Sequence, residues 1–431
     1  MTSQSIQSVI QSLLGVSAWE IRKWRKKSCQ RYLVFDQIES QRLIETEKFI
    51  ISLYKEYAFQ GEKVLGESTV SLSEGDKVGE RLTQCLEMAS LVANPIFHLP
   101  EKGLSYDPIQ TVDAELRELP FLYLDRIQED LVQVPLEKVK RSSAEIFIED
   151  TEFFLLNSKG LKKETAATEI LVDFVLLAEK GPLLEGETQG TKRARFYQDL
   201  HLADRVQQYA QYTREAQEAQ LPCSGTSPVI FSEEALDTLF NFFCLQASGQ
   251  ARFQNWSHLV VGKPVISDLK GEALTFSSNP CLVGALKSQT FDDNGLPLHR
   301  IQVIHENIFH KRMNSKRYAD YLQEEATGDF SNLEVALGSR PFSDLLADGP
   351  CYHLLRFSHF EPNPITGAFS GEIRTGYFFK KGQTIPIKGG SVSGRMQEAF
   401  KEAFYSREGI QREAYLGPKA VRIEKLNIAG Q

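Results

Sequence analysis

The stretch His305-Glu306-Asn307-Ile308-Phe309-His310 holds two imidazoles and a carboxylate. Zinc peptidases build a metal centre and its general base from these side-chain types. In the HExxH type of zinc-peptidase helix the histidines stand four residues apart, about 40° around the axis, and reach one ion. His305 and His310 are five apart, which a regular helix would splay by about 140°. The β-prone residues Ile301, Val303 and Ile304 precede them, and Glu306-Asn307 suits a turn, so the spacing predicts a hairpin. On that hairpin His305 faces Ile308 and His310 faces Val303. The two rings then share one face as diagonal neighbours about 7–8 Å apart, able to clasp a surface metal but with no third ligand in view.

Other sets are weighed the same way. Asp292-Asp293-Asn294-Gly295 is oxygen-rich but lacks the spacing of a calcium loop, and reads as a turn. The run KGGSVSG has no phosphate-loop pattern. Cys351 and His353, at i and i+2, share a strand face without an orienting third group, which fits a buried pair better than a thiol nucleophile. His359, beside FEPNPITG, is the histidine best placed to line a groove. The basic run Arg22, Lys23, Arg25, Lys26, Lys27 has two readings, an anionic partner or a solvated helix end.

These residues are positioned by clusters of strands and helices without regular alternation. Ile6, Val9, Ile10, Leu13 and Leu14 predict an amphipathic first helix. Strands follow the basic run, then a helix carrying Val78, Leu82, Cys85, Leu86, Ala89 and Val92. A helical stretch through Val139 leads to two β-rich runs joined at NSKG, and a polar helix covers His201 to Ala219. In PVIFSEEALDTLFNFFCLQASG a strand runs into a helix with Ser232 as N-cap and Leu236, Leu239, Phe240 and Phe243 on its apolar face. A last helix with Met396, Phe400, Ala403 and Phe404 precedes a final strand near AVRIEKLNIAG. The expected class is α+β, with antiparallel or mixed sheets and packed helices. The turn-rich LPCSGTSP suggests two domains, 1–225 and 226–431.

The chain has 431 residues, 42% apolar and 25% charged, with a formal net charge of −8. Such a balance fits a globular protein and argues against nucleic-acid binding. Six scattered cysteines without a CxxC pair suggest reduced thiols. The most apolar run, EILVDFVLLAEKG, is too short to span a bilayer, and no secretory pattern opens the chain. The expectation is a cytoplasmic protein that does not engage membranes.

SQTFDDNGLPLHRIQVIHENIFHKRMNSKRYADYL resembles the TldD/TldE family, whose TldE member is also called PmbA and was once described as a modulator of DNA gyrase. Asp292, Asp293, Gly295 and Pro297 match its DDEGxP-like turn, and Glu306-Asn307 fall at its second turn. NPITGAFSGEIRTGYFFKKGQTIPIKGGSVSG and the ending KLNIAGQ are similar to its later blocks, and the first half is similar more loosely.

The resemblance implies that the catalytic member carries HExxxH on the helix opening the second domain, with a cysteine ligand near the C-terminus. At the matching positions stand Ser232, Glu233 and Asp237, and Leu416 to Gln431 holds no cysteine. The chain therefore resembles the TldE type: a subunit with no catalytic residues, metal or cofactor of its own. It would pair with a TldD-like metallopeptidase, or with itself, to enclose and cleave unfolded peptides. Asp292, Asp293, Gly295, His359, Asn363, Thr366 and Gly367 are the expected wall of a groove for an extended peptide. Two alternatives stay open: an autonomous metal-dependent hydrolase using His305 and His310, and a peptide-binding homodimer without enzymatic activity.

Overall fold

The structure is a computed structural model that describes residues 2–180, 183–380 and 382–431. Gly181, which ends the second β-rich run, and Lys381, within YFFKKGQ, lie outside the described residues. The class is α+β, as expected.

The chain opens with α1 (Ser3–Ser12), capped by Thr2, with Ile6 and Ile10 buried. Long antiparallel strands follow: β1 (Ala18–Val34), β2 (Gln37–Phe59) and β3 (Glu62–Leu72). Three helices, α2 (Val78–Ala89), α3 (Ala114–Glu118) and α4 (Pro120–Val132), separate these from β4 (Val139–Asn157), β5 (Lys162–Lys180) and β6 (Leu183–Ala194). The six strands form one sheet in the order β3-β2-β1-β4-β5-β6. One face buries two apolar clusters. Ile21, Phe49 and Ile51 pack with α1 and α2. Cys29, Ile146 and Val172 pack with α4 and with α5 (Leu202–Glu215).

The second half begins with β7 (Gly225–Ser232), α6 (Glu234–Gln246) and α7 (Gly249–Phe253). Then come β8 (Phe276–Asn279), β9 (Ile301–His305), β10 (Ile308–Phe309), α8 (Lys316–Leu322), β11 (Asn332–Val335) and α9 (Phe342–Ala347). The remaining elements are β12 (Cys351–Phe360), β13 (Ala368–Lys380), β14 (Gln383–Ile387), β15 (Ser391–Arg395), α10 (Met396–Ala399), β16 (Ala403–Tyr405), β17 (Gly409–Arg412), β18 (Tyr415–Pro418) and β19 (Ala420–Ala429). One sheet runs β10-β9-β8-β11-β18-β17. In the other, β12, β7, β19, β15 and β13 pair in turn and β13 returns to β12, so the pairings close a ring. The apolar side of α6, including Leu236, Leu239, Phe240 and Phe243, packs between these sheets.

Several local expectations are corrected. The basic run lies within β1 rather than at a helix end. Cross-strand carboxylates meet it there: Lys23 pairs with Glu47 at 2.7 Å and Lys26 with Glu149 at 2.6 Å. Leu14 falls beyond α1 and is 94% exposed. The helical stretch towards Val139 ends at Val132, and Val139 already opens β4. Ala403 and Phe404 belong to β16, because the last helix stops after one turn. Ser232 is the end of β7 and not an N-cap; Glu233 occupies the cap position without a side-chain cap bond.

Candidate functional site

β7 lies between β12 and β19, so its C-terminal end is fixed from both sides. The chain must turn there from strand to helix at a single residue. Glu233 makes that turn with φ 59° and ψ −136°, a conformation that costs a side chain roughly 1–3 kcal/mol. The strain persists because the Glu233 carboxylate is held on both oxygens. Arg205 of α5 donates to one at 2.5 Å and Gln208 donates to the other at 2.7 Å. Burial alone would raise this carboxyl, but the Arg205 guanidinium and the two hydrogen bonds overcome it and hold it below its ordinary value.

The neighbouring positions are equally committed. Ser232 Oγ lies 2.9 Å from His353 Nε2 on β12. Burial pushes the His353 imidazole down to about 4, so it is neutral near pH 7. Asp237, on α6, is paired with Arg412 of β17, which is only 12% exposed, and Glu234 lies 3.9 Å from the same guanidinium. A divalent ion needs ligand lone pairs that are free and a site that is not already cationic. At this elbow two guanidiniums take the carboxylates, and Ser232 and Asp237 offer only a hydroxyl bonded to His353 and a carboxylate paired with Arg412. The residues present do not fit a metal centre. Among the described residues no group of three or more His, Cys, Asp or Glu side chains is arranged to hold an ion.

His305 and His310 sit on the β9–β10 hairpin, whose turn residues Glu306 and Asn307 have φ 46° and 67°. His305 is opposite Ile308, His310 N donates to Val303 O, and the ring centroids are 5.7 Å apart. Asn307 is structural: its amide donates to Ile266 O and its carbonyl accepts from Ile266 N.

The expected groove residues separate into two places. His359 is exposed and lines an open cleft of about 570 Å³ with Thr238, Asn241, Phe242 and Pro364. Asn363, Thr366 and Gly367 form a turn beside it: Asn363 Oδ1 accepts from Thr366 N at 2.9 Å, and Gly367 has φ 70°. Asp292, Asp293 and Gly295 instead lie against the N-terminal sheet. Asp292 Oδ1 accepts from Asn294 N and Leu296 N, while its buried Oδ2 has no partner. Burial raises this carboxyl to about 7. Gly295, at φ 88°, presses on Leu161 and Leu155, and its carbonyl accepts from Tyr106. Cys351 is fully buried with its thiol on Leu346 O, and His353 serves Ser232 rather than this thiol. Arg205 and Arg412 went unnoticed in the sequence, since neither lies in a motif or near the carboxylate it neutralises.

Residues 224–430, which hold the strand-to-helix elbow and the closed ring of strands, match the family model of the PmbA/TldA metallopeptidase C-terminal domain. The second half of the chain belongs to the TldD/TldE (PmbA) family. The whole fold is similar to TldE from Thermococcus kodakarensis, with a TM-score of 0.81 and 19% identity over 99% of each chain. It is also similar to a candidate modulator of a DNA gyrase from Thermotoga maritima, with a TM-score of 0.79 and 17% identity over 99% of this chain and 100% of that one. An uncharacterized protein of Methanocaldococcus jannaschii is 25% identical over 203 residues, 45% of this chain, and the match spans about half (49%) of that relative's length. No described helix is long and apolar enough to cross a membrane.

Proposed function

We propose that this chain is the metal-free member of a two-subunit peptidase, pairing with a TldD-like metallopeptidase to enclose and cleave unfolded peptides. The observation that carries this reading is the elbow at Ser232 to Asp237, where Arg205 and Arg412 neutralise the carboxylates that a metal or a catalytic water would need. The zinc, the activated water and the general base belong to the partner in this reading. This chain supplies walls and strand edges that hold an extended peptide through main-chain hydrogen bonds. The cleft beside His359, at the C-terminal end of β12, is the surface proposed for that contact.

The test is to purify the chain alone and mixed with a TldD-like subunit, then follow cleavage of an unfolded polypeptide. Co-purification, with cleavage only by the mixture, is the expected result. Full activity from this chain alone after metal stripping and zinc reloading would overturn the proposal. Loss of such activity on mutating His305 or His310 would favour the autonomous hydrolase instead.

A further inference from the structure

A second place in the molecule combines charges of both signs around a cavity. It lies where the N-terminal sheet meets loops of the second half and has a volume of about 220 Å³. Arg22, Tyr54, Glu67 and Phe97 line it from one side, and Asn294 and Arg317 from the other. The Tyr54 and Phe97 rings meet edge to face at 5.5 Å, giving an aromatic wall, and the Arg317 guanidinium lies 4.7 Å from the Phe97 centroid.

The polar groups here are only partly spent. Arg317 gives Nη2 to Glu67 Oε1 at 2.6 Å, and Arg22 gives Nη2 to Ser52 at 3.3 Å. Among the described residues, the Nη1 groups of both arginines and Glu67 Oε2 have no hydrogen-bond partner. Behind Arg22 stands Glu20, 0% exposed, with Arg22 Nε 2.9 Å away but out of line for a hydrogen bond. Native interiors seldom leave a buried carboxylate and its guanidinium this poorly paired, because the desolvation cost goes uncompensated. Arg22, Arg317 and Lys316, the last already paired with Asp320, surround Glu67 with Glu20 behind, a lining of both signs that favours a ligand itself carrying both charges. The cavity is smaller than the roughly 300–1,000 Å³ of most small-molecule pockets, which limits the ligand to a compact one.

We propose that this cavity binds a free α-amino acid, with its carboxylate on Arg22 and Arg317, its ammonium on Glu67 with Glu20 behind, and its side chain on Tyr54 and Phe97. Planar guanidiniums suit a carboxylate, and charge-assisted bonds of this kind discriminate strongly against ligands missing one charge. Because both halves of the chain contribute, an occupant ties the N-terminal sheet to the loops of the second half. The inference does not depend on partnership with a metallopeptidase.

The test uses the full chain and titration calorimetry with L-phenylalanine, N-acetyl-L-phenylalanine and L-phenylalaninamide. Saturable binding of one L-phenylalanine per chain is expected, weakened at least about tenfold by blocking either charge. Arg317→Gln and Glu67→Gln should each weaken it similarly. Those variants alter an ion pair and folding could suffer, so the blocked derivatives on the unmodified chain decide. Absence of saturable binding by L-phenylalanine and L-leucine up to about 10 mM, or equal binding of the blocked derivatives, would overturn the proposal.

Discussion

Replacing Glu20 by Gln should make the chain more stable relative to the parent as pH rises. Burial pushes the Glu20 carboxyl from its ordinary 4.5 up to about 7, against the pull of the Arg22 guanidinium. A raised carboxyl pKa means the folded state holds a proton that the unfolded state releases. The parent's stability is therefore fully present below pH 4.5 and is lost as pH climbs through 7. The difference between 4.5 and about 7, at 1.36 kcal/mol for each pKa step, gives a loss of about 3 kcal/mol. Glu20→Gln cannot ionise and escapes it. The attraction of Arg22 grows as Glu20 ionises, but it is already contained in the value of about 7 and adds no further pH dependence. His353, pushed down to about 4, acts in the opposite sense below neutrality, but it is present in both proteins and cancels in their difference. Melting temperatures of the two chains from pH 5 to pH 8 should therefore diverge by about 3 °C if the chain melts as one unit, and by more if the N-terminal sheet melts separately. A difference that stays flat, or narrows with rising pH, would refute the reasoning.

Three further outcomes follow from particular contacts. Asp237→Ala should cost about 1–3 kcal/mol by urea unfolding, because Arg412 is left without its main partner; the double change with Arg412→Met should recover most of that loss. Gly295→Ala should destabilise by about 1–3 kcal/mol, since a Cβ would lie 2.4 Å from Leu161 Cδ2 on a backbone at φ 88°. Glu233→Gly should be less destabilising than Glu233→Ala by about 1 kcal/mol, because both lose Arg205 and Gln208 but only glycine relaxes at φ 59°.

The sequence was most legible where a period or a turn residue fixes geometry locally. Alternation and the NSKG turn located β4 and β5, and the apolar spacing of Leu236, Leu239, Phe240 and Phe243 located the buried side of α6. The Glu306-Asn307 turn also came through, because Asn307 tolerates positive φ and stands between two β-prone runs. Readings failed where long-range partners override local character. The basic run in β1 resembles a solvated helix end until Glu47 and Glu149 arrive from neighbouring strands to neutralise it. Ser232 has the chemistry of an N-cap, yet the parallel strand β12 brings His353 to it first. The elbow's ion pairs were invisible for the same reason. Arg205 and Arg412 lie far along the chain from the acids they meet, and no spacing rule encodes that meeting.

The Arg412–Asp237 pair also bears on how such a chain could change over generations. An imidazole introduced at position 237 alone would face a guanidinium that is 12% exposed and has lost its nearer counter-charge. Such a half-step costs stability, on the order of 1–3 kcal/mol, before any ion can repay it. Freeing this carboxylate position for an ion would take a change at position 412 as well as at 237. The ion pair therefore resists single substitutions at either of its positions, because each half-step begins with a loss of stability.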